Sequence, residues 1–232
     1  MRHEEKFICS ERQLTLIEHR IRVMLKKDSN QKNDDYRIRS LYYDTTDDRL
    51  YNESINGVDN RSKYRIRFYD MNKGFFRMER KDTVGCLKSK RSESVSCDYV
   101  ESAIKGEVLP ADKDGILNEV FTLGRTQLLR PVVIVDYRRS AYTYPIGNVR
   151  ITFDRDISCT YRTEDFMNEH ALLIPVMPYG KHILEVKYDG ILPGFISSMI
   201  DIGDLERVSF SKYAYSRSVV NGNGRKEDGY GI

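Results

Sequence analysis

Tyr64-Arg65-Ile66-Arg67-Phe68-Tyr69, followed shortly by Phe76-Arg77-Met78-Glu79-Arg80-Lys81, is the stretch on which the fold turns. A strand points successive side chains to opposite faces, so Arg65 and Arg67 share one face while Tyr64, Ile66 and Phe68 share the other. In the second segment Arg77, Glu79 and Lys81 fall together, opposite Phe76, Met78 and Arg80. Asn72-Lys73-Gly74 between them is turn chemistry and makes the pair a hairpin. One such strand normally shows its charges to water. Here the same alternation recurs far away in the chain.

Working outward, Arg2 to Cys9 alternates Glu4, Lys6 and Ile8 against His3, Glu5, Phe7 and Cys9, a strand with a charged face. Ser10 lies three residues before Gln13, a capping-box spacing, and Leu14, Ile17, Ile21 and Leu25 follow at helical intervals. These predict an amphipathic helix from Ser10 to about Lys27. Residues 28–35 read as a polar loop, and a strand resumes from Arg37 to Asp44. Thr45 and Thr46 are candidate caps for a short helix through Tyr51, ended near Gly57. Beyond the hairpin a third charged strand passes through Lys88 and Lys90, its register left open by Thr83, Gly85 and many small residues. The pattern is helical from Asp98 to about Arg130 and returns to strand at Val132–Tyr137, continued by Arg139-Ser140-Ala141-Tyr142. In Val149–Asp154, Arg150, Thr152 and Asp154 oppose Val149, Ile151 and Phe153; in His182–Tyr188, Ile183, Glu185 and Lys187 oppose Leu184, Val186 and Tyr188. Pro193 opens a helix through Ile200, and Ser209–Tyr213 leads into a last short one. The chain reads as one domain over residues 1–217 with a flexible C-terminal tail over 218–232.

About eight strands with few crossover helices imply an α+β fold built on an antiparallel eight-stranded β-barrel, closed or nearly closed, with covering helices. The apolar faces, among them Phe7, Ile66, Phe68, Val149, Ile151, Phe153, Leu184 and Val186, suffice to pack against those helices. The charged faces then look inward, onto a water-filled tunnel lined by Glu4, Lys6, Arg65, Arg67, Glu79, Lys81, Arg150 and Glu185.

Composition narrows the classes further. With 232 residues and 40% hydrophobic content the chain can bury a sizeable core. No apolar run approaches the roughly 20 residues that span a bilayer, and the N-terminus lacks the apolar core of a signal peptide, so a cytoplasmic protein is expected. Cys9, Cys86, Cys97 and Cys159 have no paired ligand spacing and read as reduced packing residues. His3, His19, His170 and His182 are not clustered, and Tyr42, Tyr43, Tyr64 and Tyr69 read as packing aromatics. A net charge of only +3 excludes a general electrostatic glue for nucleic acid, while 31% charged residues allow a focused polyanion site.

Like charges crowded in a tunnel repel by roughly 4 kcal/mol per pair at an effective dielectric of about 20, so such a lining calls for a polyanion. Arginine forks suit phosphate oxygens, lysines act as point charges, and carboxylates among them suit a hard divalent cation bridging the phosphates. The constellation points to a linear oligophosphate with Mg2+ or Mn2+.

At this point the residues resemble the triphosphate tunnel metalloenzymes (the CYTH-like superfamily), and within them the VTC domain of polyphosphate polymerases. The resemblance rests on eight stretches in order: residues 2–7, 40–45, 63–67, 79–81, 137–142, 149–154, 184–188 and 210–213. It implies a tunnel that binds a nucleoside triphosphate and moves its terminal phosphate to a growing polyphosphate chain. Carried over by residue, Lys6, Arg65, Arg67, Lys81, Arg139, Arg150 and Lys212 would contact phosphates, supported by Tyr137 and Ser211. Glu185 would be the principal metal ligand and Glu4 a second. Lys90 is a further phosphate lysine with Lys88 and Arg91 as competitors, and Glu5 stands where the family's first strand has an aliphatic residue. Phosphoryl transfer by positioning and charge neutralisation needs no covalent nucleophile. The expected partners are a nucleoside triphosphate and inorganic polyphosphate, not nucleic acid. The chain carries no membrane segment of its own, and a membrane partner is compatible with this. The rival readings are an inorganic or nucleoside triphosphatase, with Glu4 or Glu79 orienting water, and a non-catalytic polyphosphate-binding module.

Overall fold

The computed structural model describes residues 2–29, 31–85, 87–110 and 115–222. Among them are eleven strands and six α-helices, an α+β chain as expected. In chain order these are β1 (Arg2–Ser10), α1 (Glu11–Met24), β2 (Lys26–Lys27), β3 (Tyr36–Asp44), α2 (Arg49–Ile55), β4 (Asn60–Tyr69), β5 (Phe76–Val84) and β6 (Leu87–Val95). Then come α3 (Cys97–Ile104), α4 (Ile116–Gln127), β7 (Arg130–Tyr144), β8 (Val149–Thr160), β9 (Ile174–Pro175), β10 (Lys181–Asp189), α5 (Gly194–Ile200), β11 (Glu206–Arg207) and α6 (Lys212–Val220). The pairing order is β11-β1-β10-β8-β7-β3-β4-β5-β6, with β2 on β7 and β9 on β8. This corrects the expected eight-stranded closed or nearly closed barrel: the path is open, ending at β11 and β6. The three two-residue strands, β2, β9 and β11, are too short to leave a period in sequence, which accounts for the undercount.

The chain packs as two compact units. The first holds β1, α1, β2, β7 from Tyr137, β8 to Ile157, β10, α5 and β11. The second holds β3 from Ile38, α2, β4, β5, β6, α3, α4, β7 to Asp136, β9 and α6.

In the first unit, Ser10 Oγ accepts from the Gln13 backbone N–H at 3.3 Å while Gln13 Oε1 accepts from the Ser10 N–H at 2.8 Å, completing the expected capping box. Leu14, Ile17 and Ile21 of α1 bury against Val149, Ile151, Phe153, Leu184 and Val186, joined by Ile196 and Ile200 of α5. The helix stops at Met24, short of Lys27, because Leu25 leaves it with extended backbone and Lys26 and Lys27 pair with Thr143 and Tyr142. The loop after β2 is pinned. The Asp28 N–H donates to Ala141 O at 2.9 Å, and the Ala141 N–H donates to Gln31 Oε1 at 2.7 Å.

In the second unit, Ile66, Phe68, Phe76 and Met78 pack on Val100, Ala103, Ile116 and Val120, so α3 and α4 cover the apolar face of the β4–β5 hairpin. The 98–130 stretch is thus two helices; residues 111–114 lie outside the described residues. Full burial of a side chain such as Phe68 stabilises by about 1.5–3 kcal/mol. The N-terminus of α2 is held by Thr45, one of the two expected threonine caps, whose Oγ1 accepts from the Arg49 N–H at 3.1 Å, together with Asp44, whose carboxylate accepts from the N–H of Leu50 at 2.8 Å and of Tyr51 at 3.0 Å. A carboxylate suits these unpaired donors better than a hydroxyl because the helix dipole favours negative charge. Helix α6 carries ordered structure to Val220, into the segment expected as tail; residues 223–232, like Cys86, lie outside the described residues. Cys9, Cys97 and Cys159 are free thiols, and burial first of all pushes Cys9 up to about 12 and Cys159 to about 11, leaving both inert.

Candidate functional site

The sequence-predicted residues fall into two clusters, one in each unit. In the first, antiparallel pairing sets Glu4 opposite Lys187 and Lys187 opposite Arg150; one step along, Lys6 is opposite Glu185 and Glu185 opposite Thr152. These residues share one face of β1, β10 and β8, and the reverse face carries the α1-covered core. Lys6 Nζ donates to Phe210 O at 2.7 Å and lies 3.3 Å from Glu4 and 4.0 Å from Glu185. Lys187 also pairs with Glu185. Burial pulls the Lys187 ammonium below the usual lysine value, although Glu185 and Glu4 oppose the shift. Arg139 is buried, with two hydrogen bonds to Asp154 at 2.5 and 2.7 Å and its guanidinium 5.3 Å from the Tyr137 ring centroid. Arg150 Nε donates to Asp28 at 2.9 Å.

The second cluster lies on β3, β4, β5, β6 and the start of α6. Lys63, Lys81 and Lys90 stand at one register position on adjacent strands, which resolves the third strand: Lys90 is level with Lys81 on the charged face, and Lys88, on the same face, sits one pair further along opposite Thr83. Arg91 is excluded, since it faces Arg80 on the reverse side and binds Glu119 at 2.7 Å. In the neighbouring row Tyr42, Arg65, Glu79 and Ser92 are aligned. Arg65 donates to Glu79 through Nε at 2.7 Å and Nη2 at 2.6 Å, and to Tyr42 Oη through Nη1 at 2.8 Å. Arg67 donates to Ser40 Oγ at 3.1 Å and lies 3.8 Å from Glu79, and Lys90 pairs with Glu79 as well. Burial would raise the Glu79 pKa, but Arg65, Arg67 and Lys90 outweigh it and hold this carboxyl well below the usual carboxylate range. Ser211 caps α6, accepting from the Ala214 N–H at 3.3 Å and from Lys63 Nζ at 2.9 Å; Lys212 is the first residue of that helix.

Glu79, Glu185, Asp154 and Asp28 serve as internal counter-ions to part of the basic lining. Sequence reasoning missed Lys63, Lys187, Tyr42 and Asp28. The first two had a signal, since Lys63 precedes Arg65 by two residues and Lys187 follows Glu185 by two. Tyr42 packs as expected, buried like Tyr43 and Tyr64 and stacked on Tyr213 at 5.1 Å, but its hydroxyl also meets Arg65.

Glu185, buried, and Glu4, half-buried, supply two carboxylates beside Lys6. No group of three or more His, Cys, Asp or Glu poised to hold a metal occurs among the described residues. Two carboxylates still fit Mg2+ or Mn2+, which keep several waters and take remaining ligands from substrate phosphates. No helix among the described residues is long and apolar enough to cross a membrane.

The family model of the VTC domain matches residues 1–221. Among solved structures, a candidate adenylate cyclase from Bacillus halodurans superposes with a TM-score of 0.51 at 14% identity, covering 84% of this chain and 83% of its own. The PH1819 and PH1012 proteins from Pyrococcus horikoshii reach TM-scores of 0.41 and 0.44, each at 14% identity, covering 86% and 89% of this chain and 84% and 94% of theirs. Among curated proteins, none matches the chain. At this identity the first of these structures shares the fold alone.

Proposed function

Because the chain belongs to the VTC domain family, we propose that it is a metal-dependent polyphosphate polymerase, a phosphotransferase passing the terminal phosphate of a nucleoside triphosphate to inorganic polyphosphate. One observation carries the reading. Lys63, Lys81 and Lys90 align across three strands beside Arg65 and Arg67, and Glu79 is the one carboxylate that β4, β5 and β6 place on that face. Such a surplus of cations, backed by an apolar core, matches a linear anion with a charge on every unit.

In the reaction a terminal oxygen of the acceptor phosphate attacks the terminal phosphorus of the donor; one P–O bond forms, the bond to the nucleoside diphosphate breaks, and the diphosphate leaves with the electron pair. Arg65 and Arg67 would hold the transferred group, their forks matching its oxygens. Lys81, Lys90 and Lys212 would neutralise the flanking phosphates, with Ser211 in support; the cluster of the first unit, taken by itself, offers Lys6, Arg139 and Arg150, with Tyr137 in support, as phosphate contacts of the same kind. Glu4 and Glu185 would hold Mn2+ or Mg2+, which when bound supplies charge neutralisation to phosphate oxygens.

Hydrolysis is less well supported. Glu79 is held ionised by three cations and makes a poor base for water, and Glu4 is paired with Lys6. Incubating the protein with ATP and Mn2+ or Mg2+ and resolving products on a gel tests the reading. Long phosphate chains with matching ADP are expected; free phosphate without chains establishes a triphosphatase, and polyphosphate binding without turnover a binding module.

A further inference from the structure

Tyr42 sits at the centre of the second cluster with an incomplete hydrogen-bond complement. Its Oη accepts from Arg65 Nη1 at 2.8 Å, yet the phenolic proton meets no acceptor among the described residues. The residue is only 6% exposed, so water does not readily take that proton. Its ring is clamped: it stacks on Tyr213 at 5.1 Å with 26° between planes, and the Tyr213 hydroxyl in turn donates to Asp44, the carboxylate that caps α2. The phenol therefore cannot swing out to find a partner. A donor held buried and unmet is costly in a native fold and marks a position where a ligand atom completes the set.

The chemistry of that atom follows from the surroundings. Arg65, Arg67 and Lys212 all press positive charge on the Tyr42 hydroxyl, against the effect of burial, which would otherwise raise its pKa; the net shift is downward. An acceptor arriving there is favoured if it is anionic. Arg65 holds Tyr42 on one side of its guanidinium and Glu79 on the other, so an oxygen bound by the arginine cluster arrives within reach of the phenol.

We infer that the Tyr42 hydroxyl is a direct, uncharged hydrogen-bond donor to a phosphate oxygen of the bound oligophosphate. The inference rests on the proposed oligophosphate reading and adds a contact to it. It also explains why a tyrosine, not a further cation, occupies this position. A neutral donor orients an oxygen without repelling Arg65, Arg67 and Lys212, and accepting from Arg65 polarises the O–H toward the anion.

The test uses the full chain, its Tyr42→Phe variant and inorganic tripolyphosphate as the calorimetric probe, with and without Mg2+. Phenylalanine keeps the ring stack and removes only the hydroxyl. Affinity is expected to fall about tenfold, the loss of one hydrogen bond to a charged group. The salt dependence of binding should stay as in the wild type, because no charge is removed, whereas Arg65→Ala should flatten it. Equal affinity of wild type and Tyr42→Phe overturns the inference while leaving the oligophosphate reading intact. A wild type that does not bind tripolyphosphate overturns that reading and the inference with it. If the variant does not fold, the wild type labelled at the tyrosine Cζ answers instead: the Tyr42 resonance should move on adding tripolyphosphate, and an unmoved resonance in a binding-competent protein sinks the proposal.

Discussion

Arg139 on β7 grips Asp154 on β8 through two hydrogen bonds of 2.5 and 2.7 Å, and both side chains are buried. A buried fork-to-carboxylate pair is held together at the expense of desolvating two charges, so removing one partner is worse than never having either. Asp154→Asn keeps the shape and strands the guanidinium charge. Urea unfolding should show a loss of about 3–5 kcal/mol; an unchanged midpoint means that the pair does not support the fold.

Glu79 makes stability depend on pH in a definite direction. Its folded-state pKa lies below the ordinary carboxylate value of 4.5, so its stabilisation is fully present above that value and is lost as pH falls toward the folded pKa. Glu79→Gln should melt lower than wild type at pH 7. The gap should narrow as pH drops below about 4.5. A gap constant from pH 7 to pH 3 would show that the carboxylate's charge is not the stabilising element.

Arg67→Ala separates site from scaffold. Arg65 and Lys90 still compensate Glu79 after the change, so the fold should persist by circular dichroism and melting. Phosphate transfer should drop by about 100-fold or more, the cost of removing one preorganised electrostatic group. An active, folded Arg67→Ala protein would count heavily against this cluster as the reaction site.

Glu185→Gln addresses the metal. Glu185 meets Lys6 and Lys187, so the amide leaves both lysines without their anion and lowers charge density where a divalent cation would sit. Mn2+ titrations of activity should shift to higher concentration by about tenfold or more. Titrations that superimpose on the wild type refute Glu185 as a ligand.

The charged face was legible wherever a strand obeys its period. Alternation puts Arg65 and Arg67 together on β4 and Lys6, Glu185 and Arg150 level with charged neighbours on β1, β10 and β8, as the pairing has them, because it depends only on local backbone geometry. Lys90 against Lys88 and Arg91 was not legible: Gly85 and the small residues of β6 give no apolar phase, and only pairing of Lys81 with Lys90 chooses among them. Asp28 looked like one polar residue of a loop. Its role depends on Arg150, 122 positions away, and no local pattern encodes a partner at that separation. Tyr42 shares its alternation with Ser40 and Asp44, but that its buried ring stacks on Tyr213 is decided by α6.

What the amino acids decide unaided is therefore the face each charge occupies, the capped start of α1 at Ser10, and the family signature over residues 1–221. These follow from strand and helix periods and from ordered short motifs, which act within a few residues. The open strand order, the counter-ion that each cation meets, and the unmet Tyr42 proton belong to the tertiary structure. Register and strand order are settled by which distant segments pair, and a charge's partner follows from that pairing. The opening stretch shows both levels at once: alternation puts Arg65 and Arg67 on one face, and the pairing of β4 with β3 and β5 hands them Tyr42, Ser40 and Glu79.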